Sequence, residues 1–486
     1  MRSSRQPCVP LRPHRPCYPP RMDAFADIET TELRPETKRR LATMASEGRF
    51  KGVFQPGSAG LPPLLVGRQD QANRINELLD DLLGPPAASR TIHAVTLHGP
   101  RGAGKTVLLD IVKRALGPNN SEGIGIILLE GTDLPTPAPL LDAVLAQVPP
   151  STTRTNARTG GVGLGLAQVR ASTSETRHGG SASHGLLKDA LRHHAQVRSQ
   201  RPLFVVDEAH AASPDALGVM LNSLQALNGE GTPCGAILAG TPDLISVLRR
   251  AEATWYLDRN REARLVPVGS IGNTDCALAI GAPLDAMGIE YSQSALMEAV
   301  RWCSGNPYFT QALGAAALEV AAGNADRKAD FGEGAAVSER FRSLARGRYN
   351  EAWQNLDELG LTGCARQLGA LWRWAEAAQG LPFNSRMVQS AVNSGVRNPP
   401  LDFKPTLSEQ EAHTHFQHLG LLWSPSASPE GPWQLALPSF FDFVEERYRD
   451  PRWHHYNKTL DALIEDQPSF IPEDDPDDAL DDSSSP

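Results

Sequence analysis

Short apolar runs and amphipathic stretches take turns along the first half of the chain. "IHAVTLH" (Ile92 to His98) alternates apolar and polar positions and is β-branched, which predicts a buried strand. "TVLLDIVKRAL" (Thr106 to Leu116) returns its apolar residues at helical spacing. "GIGIILLEGT" (Gly123 to Thr132), "RPLFVVDEAH" (Arg201 to His210) and "GAILAGTPDL" (Gly235 to Leu244) read as three further buried strands. "PLLDAVLAQVPP" reads as a helix stopped by Pro149 and Pro150. Strands alternating with helices predict a parallel α/β sheet whose functional residues gather at the C-terminal strand ends. From Asn273 onward helical spacing dominates, in "TDCALAIGAPLDAMG", "SQSALMEAVRWCSGNP" and "YFTQALGAAALEVAAG". A longer helix around "ERFRSLARGRYNEAWQNLDELG" leads to three more, "GCARQLGALWRWAEAAQG", "NSRMVQSAV" and "TLSEQEAHTHFQHLG". Two strands around a Pro/Ser/Gly-rich turn, "LLWSPSASPEGPWQLALP", complete the order of a winged helix.

This pattern divides the chain into a basic, flexible arm (1–45), a nucleotide-binding core (46–268), a helical lid (269–330), a linker helix with a winged-helix domain (331–450) and a tail (451–486). The helix-like "TKRRLATMASEGRF" (Thr37 to Phe50) and the amphipathic "RQDQANRINELLDDLL" precede the first strand. A Ser/Thr/Gly/Arg-rich passage, 151–185, interrupts the alternation and reads as a long mobile insertion with a weak hairpin around "GVGLGLAQV". The formal net charge of −9 misdescribes the body, because Glu465, Asp466, Glu473, Asp474, Asp475, Asp477, Asp478, Asp481 and Asp482 alone contribute that amount. With no packable pattern around them, these acids predict a disordered tail. The opening "MRSSRQPCVPLRPHRPCYPPR" is basic and proline-rich, and reads either as a flexible arm or as an extension ahead of a start at Met22. Nothing between the two ends is basic enough to announce nucleic acid. No apolar run approaches membrane-spanning length and no secretory signal is visible. Six scattered cysteines lack metal or disulfide spacing, which suits reduced, buried thiols in a cytoplasmic protein.

The chemistry concentrates in "HGPRGAGKT" (His98 to Thr106). Gly99, Gly102 and Gly104, with Pro100, Arg101 and Ala103 between them, allow a tight curl that turns N–H groups toward anionic oxygens. Lys105 reaches the β- and γ-phosphates of ATP, the Thr106 hydroxyl sits on Mg²⁺, and Val107 follows at a helix N-terminus facing the phosphates. At the end of a later strand stand two acids. Asp207 is assigned to the metal and Glu208 to orienting and polarising the attacking water. His210 completes the "DEAH" string and reads as structural. Thr241, at the tip of a neighbouring strand, is placed to contact the γ-phosphate or the water.

"LVGR", "GPRGAGKT", "LFVVDEAH", "AGTPDL" and "CSGNPYFTQALG", followed by the winged-helix order, resemble an AAA+ ATPase of the origin-recognition-complex-like class over most of Pro62 to Tyr448. The resemblance implies a P-loop NTPase sheet with a helical lid and a C-terminal winged helix. It also implies an adenine-side role for Val66, Gly67 and Arg68, a sensor role for Thr241, and a lid motif at Pro307. One departure matters. The family's lid helix carries an arginine toward the γ-phosphate, whereas here Pro307 is followed by Tyr308 and no Arg or Lys appears before Asp326. The "GNP" form is similar to STAND signalling ATPases, whose lid proline packs near the adenine. The implied behaviour is slow hydrolysis with bound nucleotide as a conformational latch. Arg259, Arg261 or Arg264 of "YLDRNREARLVPV" would then serve a neighbouring copy in a self-associated state. The would-be recognition helix brings Glu409 and Glu411 with His413, His415 and His418 and no Lys or Arg, which opposes phosphate contacts and favours docking of a protein partner. A DNA-binding initiator or transposition-helper ATPase is the alternative.

Overall fold

The computed structural model describes residues 22–58, 60–84, 93–117, 123–147, 180–251, 256, 264–332, 334–377, 385–397, 407–426, 433–435 and 438–449. They divide into two compact units, one over Met1–Ala345 with Phe416–Ala436 and the other over Arg346–His415 with Leu437–Pro486. In chain order the first unit begins with α1 (Pro35–Ser46), α2 (Gln69–Leu83), β1 (His93–His98), α3 (Lys105–Ala115), β2 (Ile124–Glu130) and α4 (Ala138–Gln147). It continues with α5 (Gly180–Arg198), β3 (Arg201–Asp207), α6 (Pro214–Gly229), β4 (Gly235–Gly240), α7 (Leu244–Arg250) and β5 (Leu265–Pro267).

All five strands are parallel, in the order β2-β3-β4-β1-β5. Their side chains alternate between two cores, as the period of two requires. Phe204 and Val206 of β3 and Ala236 and Leu238 of β4 pack under α4 to α7. Leu203, Val205, Ile237 and Ala239 pack on the opposite face under α2 and α3. Apolar residues on both faces explain why these strands read as continuous hydrophobic runs. Register places the strand ends together: His98 pairs with Gly240 and Pro267, and Glu130 with Asp207. The loops after β1, β3 and β4 therefore leave from one edge.

Three expectations change here. Residues from Met22 onward are packed structure rather than a flexible arm. Met22, Ala24 and Phe25 are buried in the α2/α3 core, and the Met22 and Ala24 amides donate to Asp80 and Asn76 of α2 at 2.7 and 3.0 Å. The end of the expected insertion, from Gly180, is the first turn and a half of α5; the weak hairpin expected around "GVGLGLAQV" lies outside the described residues. The fifth strand was not anticipated, because three residues ending in a proline carry too little periodicity to register.

Beyond the sheet, α8 (Asn273–Ala286), α9 (Gln293–Ala299) and α10 (Pro307–Gly323) occupy the stretch where helical spacing dominates, and α11 (Ala336–Glu358) follows. Then come α12 (Thr362–Ala377), α13 (Ser385–Arg397), α14 (Glu409–His418), the antiparallel pair β6 (Leu422–Trp423) and β7 (Gln434–Leu435), and α15 (Pro438–Arg449). Three helices followed by a hairpin is the order the sequence suggested, but the hairpin groups with the first unit rather than staying within 331–450. The second unit has its own core, where Tyr349 and Trp353 pack on Phe440 and Phe443 with ring centroids 5.5 to 6.3 Å apart. A Cβ on Gly395 would stand 2.4 Å from the Cys364 Cα, so α12 and α13 touch backbone to backbone there. Cys234, Cys276, Cys303 and Cys364 are buried and free of disulfides. Among the described residues no helix is long and apolar enough to cross a membrane.

Candidate nucleotide site

The phosphate loop leaves β1 at Gly99, where any Cβ would meet the Val268 carbonyl oxygen at 1.9 Å. Gly102 and Gly104 adopt φ of +79° and +89°, a conformation that glycine takes freely. Gly104 caps α3, so the first-turn amides of Lys105, Thr106 and Val107 have no partners within the helix and are available to an anion. The Lys105 ammonium is buried and donates to the Gly99 and Pro100 carbonyls, both at 2.8 Å. Burial pushes its pKa down to about 8, while the carboxylates of Glu208 and Asp207 pull it back up. The loop lysine and the two acids thus share one electrostatic site.

Asp207 is buried at the end of β3, and its Oδ1 accepts the Glu208 amide at 2.8 Å. Glu208 itself turns into the left-handed region (φ 46°), which costs a non-glycine residue about 1 kcal/mol. Its carboxylate remains about half exposed, at 47 %. Beside it, Thr241 is buried, and its Oγ1 has no hydrogen-bond partner among the described residues. An orphaned buried hydroxyl is costly unless a ligand or water completes it. Among the described residues no group of three or more His, Cys, Asp or Glu is placed to hold a metal ion. The oxygens of Thr106, in the first turn of α3, and of Asp207, at the end of β3, are hard donors of the kind that Mg²⁺ takes one or two of when phosphate and water oxygens complete its shell.

Arg68 does more than the adenine-side role implied for it. Its buried guanidinium donates to the Ala103 carbonyl at 2.9 Å and the Gly269 carbonyl at 2.6 Å, tying the phosphate loop to the segment after β5. Burial lowers its pKa to about 10, still leaving it charged at neutral pH. Val66 is buried, and Gly67 (φ 62°) lies against Asp275 and Ile271 with no space for a side chain. Pro307 opens α10 behind Asn306, whose Oδ1 accepts the Tyr308 amide at 2.9 Å. The Asn306 side chain also donates to the Arg101 carbonyl at 3.4 Å, and the Tyr308 amide reaches the Gly102 carbonyl at 3.2 Å. The lid motif is therefore bonded directly to the phosphate loop.

Arg264, one of the three expected finger residues, is buried, with its guanidinium 5.4 Å over the Tyr256 ring and 3.3 Å from the Tyr256 carbonyl, an inward placement that a finger to a neighbouring copy would have to leave. Arg259 and Arg261 lie outside the described residues. Two neighbours of the site, Asn306 and Trp423, were missed by sequence reasoning, and a third, His210, was read as structural. Asn before a proline at the first helical position was a legible capping signal. His210 sits between Glu208 and Thr241, 3.3 Å from the Glu208 carboxylate, and accepts the Thr241 amide at 3.4 Å. Trp423 of the hairpin lies edge-on to His98 at 6.2 Å and against Gly269, and with Pro100, Ala103, Ser270, Asn306 and Leu435 it lines a small cavity. Nothing local in the sequence announces that contact.

A parallel sheet with a phosphate loop after β1 and an acid pair at the end of β3, one strand further across β4, defines a P-loop nucleotide-binding domain. More particularly, residues 90–248 match the AAA domain family. The comparison with curated proteins gave no match. Among solved structures, the chain is similar to a Walker-type ATPase of Pyrococcus abyssi at 13 % identity and TM-score 0.44, covering 78 % of this chain and 95 % of that one. It is also similar to the ORC2 protein of Aeropyrum pernix in its ADPNP–ADP complexes, at 14 % identity and TM-score 0.45, covering 85 % and 100 %. Cdc6p of Pyrobaculum aerophilum gives 14 % identity and TM-score 0.41, covering 82 % and 97 %. At such identities and scores the likeness says nothing of ligand or partner.

Proposed function

We propose that the chain binds MgATP at this site, hydrolyses it slowly and uses the bound nucleotide as a conformational switch. The observation that carries the reading is the meeting of Lys105, Asp207, Glu208 and the unpartnered Thr241 hydroxyl at one sheet edge. Lys105 neutralises phosphate charge, Asp207 with Thr106 holds Mg²⁺, Glu208 polarises water, and Thr241 reads the γ-phosphate. The hydrogen bonds between the lid turn and the phosphate loop give the nucleotide a route to the lid, since a phosphate seated on the loop presses on Asn306 and Tyr308. The missing lid arginine leaves the transition-state charge incompletely stabilised, and Arg259 or Arg261 of a second copy supplies the remainder. The C-terminal helices serve a protein partner: α14 has no Lys or Arg, and one of its acids, Glu411, closes a capping box with Ser408.

The test compares Lys105→Ala and Glu208→Gln with the wild type in a nucleotide titration and a single-turnover hydrolysis assay. Lys105→Ala is expected to lose ATP binding by at least about a hundredfold while staying folded. Glu208→Gln is expected to keep ATP and leave it intact, since an amide orients water without accepting its proton. Turnover per subunit should rise with protein concentration in the wild type and not in Arg259→Ala combined with Arg261→Ala. Unaltered affinity in Lys105→Ala, or wild-type turnover in Glu208→Gln, would overturn the site.

A further inference from the structure

Nδ1 of His210 has two neighbours that it cannot serve together. The Thr241 amide points a hydrogen at it from 3.4 Å, which requires a lone pair on Nδ1. The Glu208 Oε2 stands 3.3 Å away, which makes a hydrogen bond only when Nδ1 carries a proton. The residue is held at this fork by its own backbone: the turn Ala209–Ala211 follows directly on the left-handed Glu208, and a Cβ on Gly240 would come within 3.2 Å of the His210 amide. The two neighbours are the groups to which the proposed function gives the water and the γ-phosphate. We propose that His210 is a positioning residue for Glu208, joining the water-polarising carboxylate to Thr241 through one shared nitrogen.

The consequence follows from proton counting. In neutral His210 the proton is on Nε2, Nδ1 accepts the Thr241 amide, and the Glu208 carboxylate meets a lone pair rather than a donor. The carboxylate is then free to swing to the water. In protonated His210 the Nδ1–H binds Glu208, holds it against the turn and lowers its power as a base, while the Thr241 amide loses its acceptor. The groups acting on His210 come from each element around it. Burial lowers its pKa, as do Arg101 and Lys105 of the phosphate loop; Glu208 and Asp243 raise it. Asp243 in turn is bridged to His418 at 2.9 Å. With the pKa held below the ordinary 6.5, the neutral, permissive form prevails at neutral pH.

This inference rests on the hydrolysis reading, and its test separates the two. Full-length protein labelled with ¹⁵N-histidine is titrated between pH 5 and 8, as wild type and as Glu208→Gln. His210 should show the Nε2–H tautomer at neutral pH, and Glu208→Gln should move its midpoint down by about half a pH unit or more. An Nδ1–H tautomer, or a midpoint indifferent to Glu208→Gln, would overturn the proposal whether or not the protein hydrolyses ATP. In parallel, the single-turnover rate at saturating MgATP should fall about threefold or more between pH 7 and pH 5 in the wild type. His210→Gln keeps an acceptor but cannot be protonated, and should flatten that fall to less than about 1.5-fold with ATP affinity unmoved. The same fall in His210→Gln as in the wild type would also overturn the proposal. Wild-type protein that binds ATP and never splits it would overturn the hydrolysis reading and, with it, any kinetic role for His210, leaving the shared proton to the titration alone.

Discussion

His418 and Asp243 make one of the few ion pairs near the site that titrates in an accessible range. Their contact at 2.9 Å raises the His418 pKa, chiefly through the hydrogen bond that His418 donates to Asp243. For Asp243 burial is the largest influence and opposes ionisation, but the His418 hydrogen bond and charge outweigh it and the pKa is lowered. The histidine's contribution is complete below its unfolded pKa and lost as pH rises through the raised folded value. The aspartate's is present above its unfolded pKa and lost as pH falls. The bridge therefore works between about pH 4 and 6.5, and the difference in melting temperature between wild type and His418→Ala should peak in that window. A difference that persists at pH 9 would show that His418 acts by packing. Residues of this kind were only partly legible. The phosphate loop, Asp207, Glu208 and Thr241 could be read because a loop, a strand end and a charge pattern lie adjacent in the chain. The clamp made by Arg68, the burial of Arg264 and the place of His210 depend on residues 8 to 201 positions away, which no local spacing encodes.

One element-level device is the cap on α6. Ser213 precedes Pro214 and its hydroxyl accepts the Ala216 amide at 3.1 Å, satisfying a donor that the helix leaves orphaned. This helix carries Leu217, Met220, Leu221 and Leu224 into the core beneath β3 and β4, so its start sets how the acid-bearing strand is supported. Ser213→Ala should cost about 1 kcal/mol in urea unfolding with nucleotide affinity unchanged, whereas a shift in affinity would show that the cap also fixes the site. Elements were legible where their period was sustained. The four longer strands and the helices from Asn273 to Gly323 lie where alternation or helical spacing put them. The C-terminal helix Pro438–Arg449 was not anticipated, because "PSFFDF" shows neither period cleanly.

At the scale of the molecule, two units with separate cores share one chain, and only one of them holds the phosphate loop. A ligand that binds the folded form alone stabilises it by RT ln(1 + [L]/Kd), about 2.7 kcal/mol at a hundredfold excess. Saturating MgATP should therefore raise the melting of the first unit and leave that of the second in place, and Lys105→Ala should abolish the shift. Equal shifts of both would mean that they unfold together. The division into units was legible in outline but not at the hairpin, which belongs by sequence order with the C-terminal helices and by packing with the sheet. Helix order travels in the sequence; the destination of a two-residue strand does not.

Trp423 gives the chain a built-in optical probe. Its indole, buried against Gly269, touches the residue whose carbonyl holds Arg68, and Arg68 holds the Ala103 carbonyl of the loop. A strain entering the loop thus arrives two hydrogen bonds later at a buried fluorophore beside an imidazole. The emission of this one tryptophan, isolated as the difference from Trp423→Phe, records the state of the phosphate loop in real time without a dye or a labelled nucleotide.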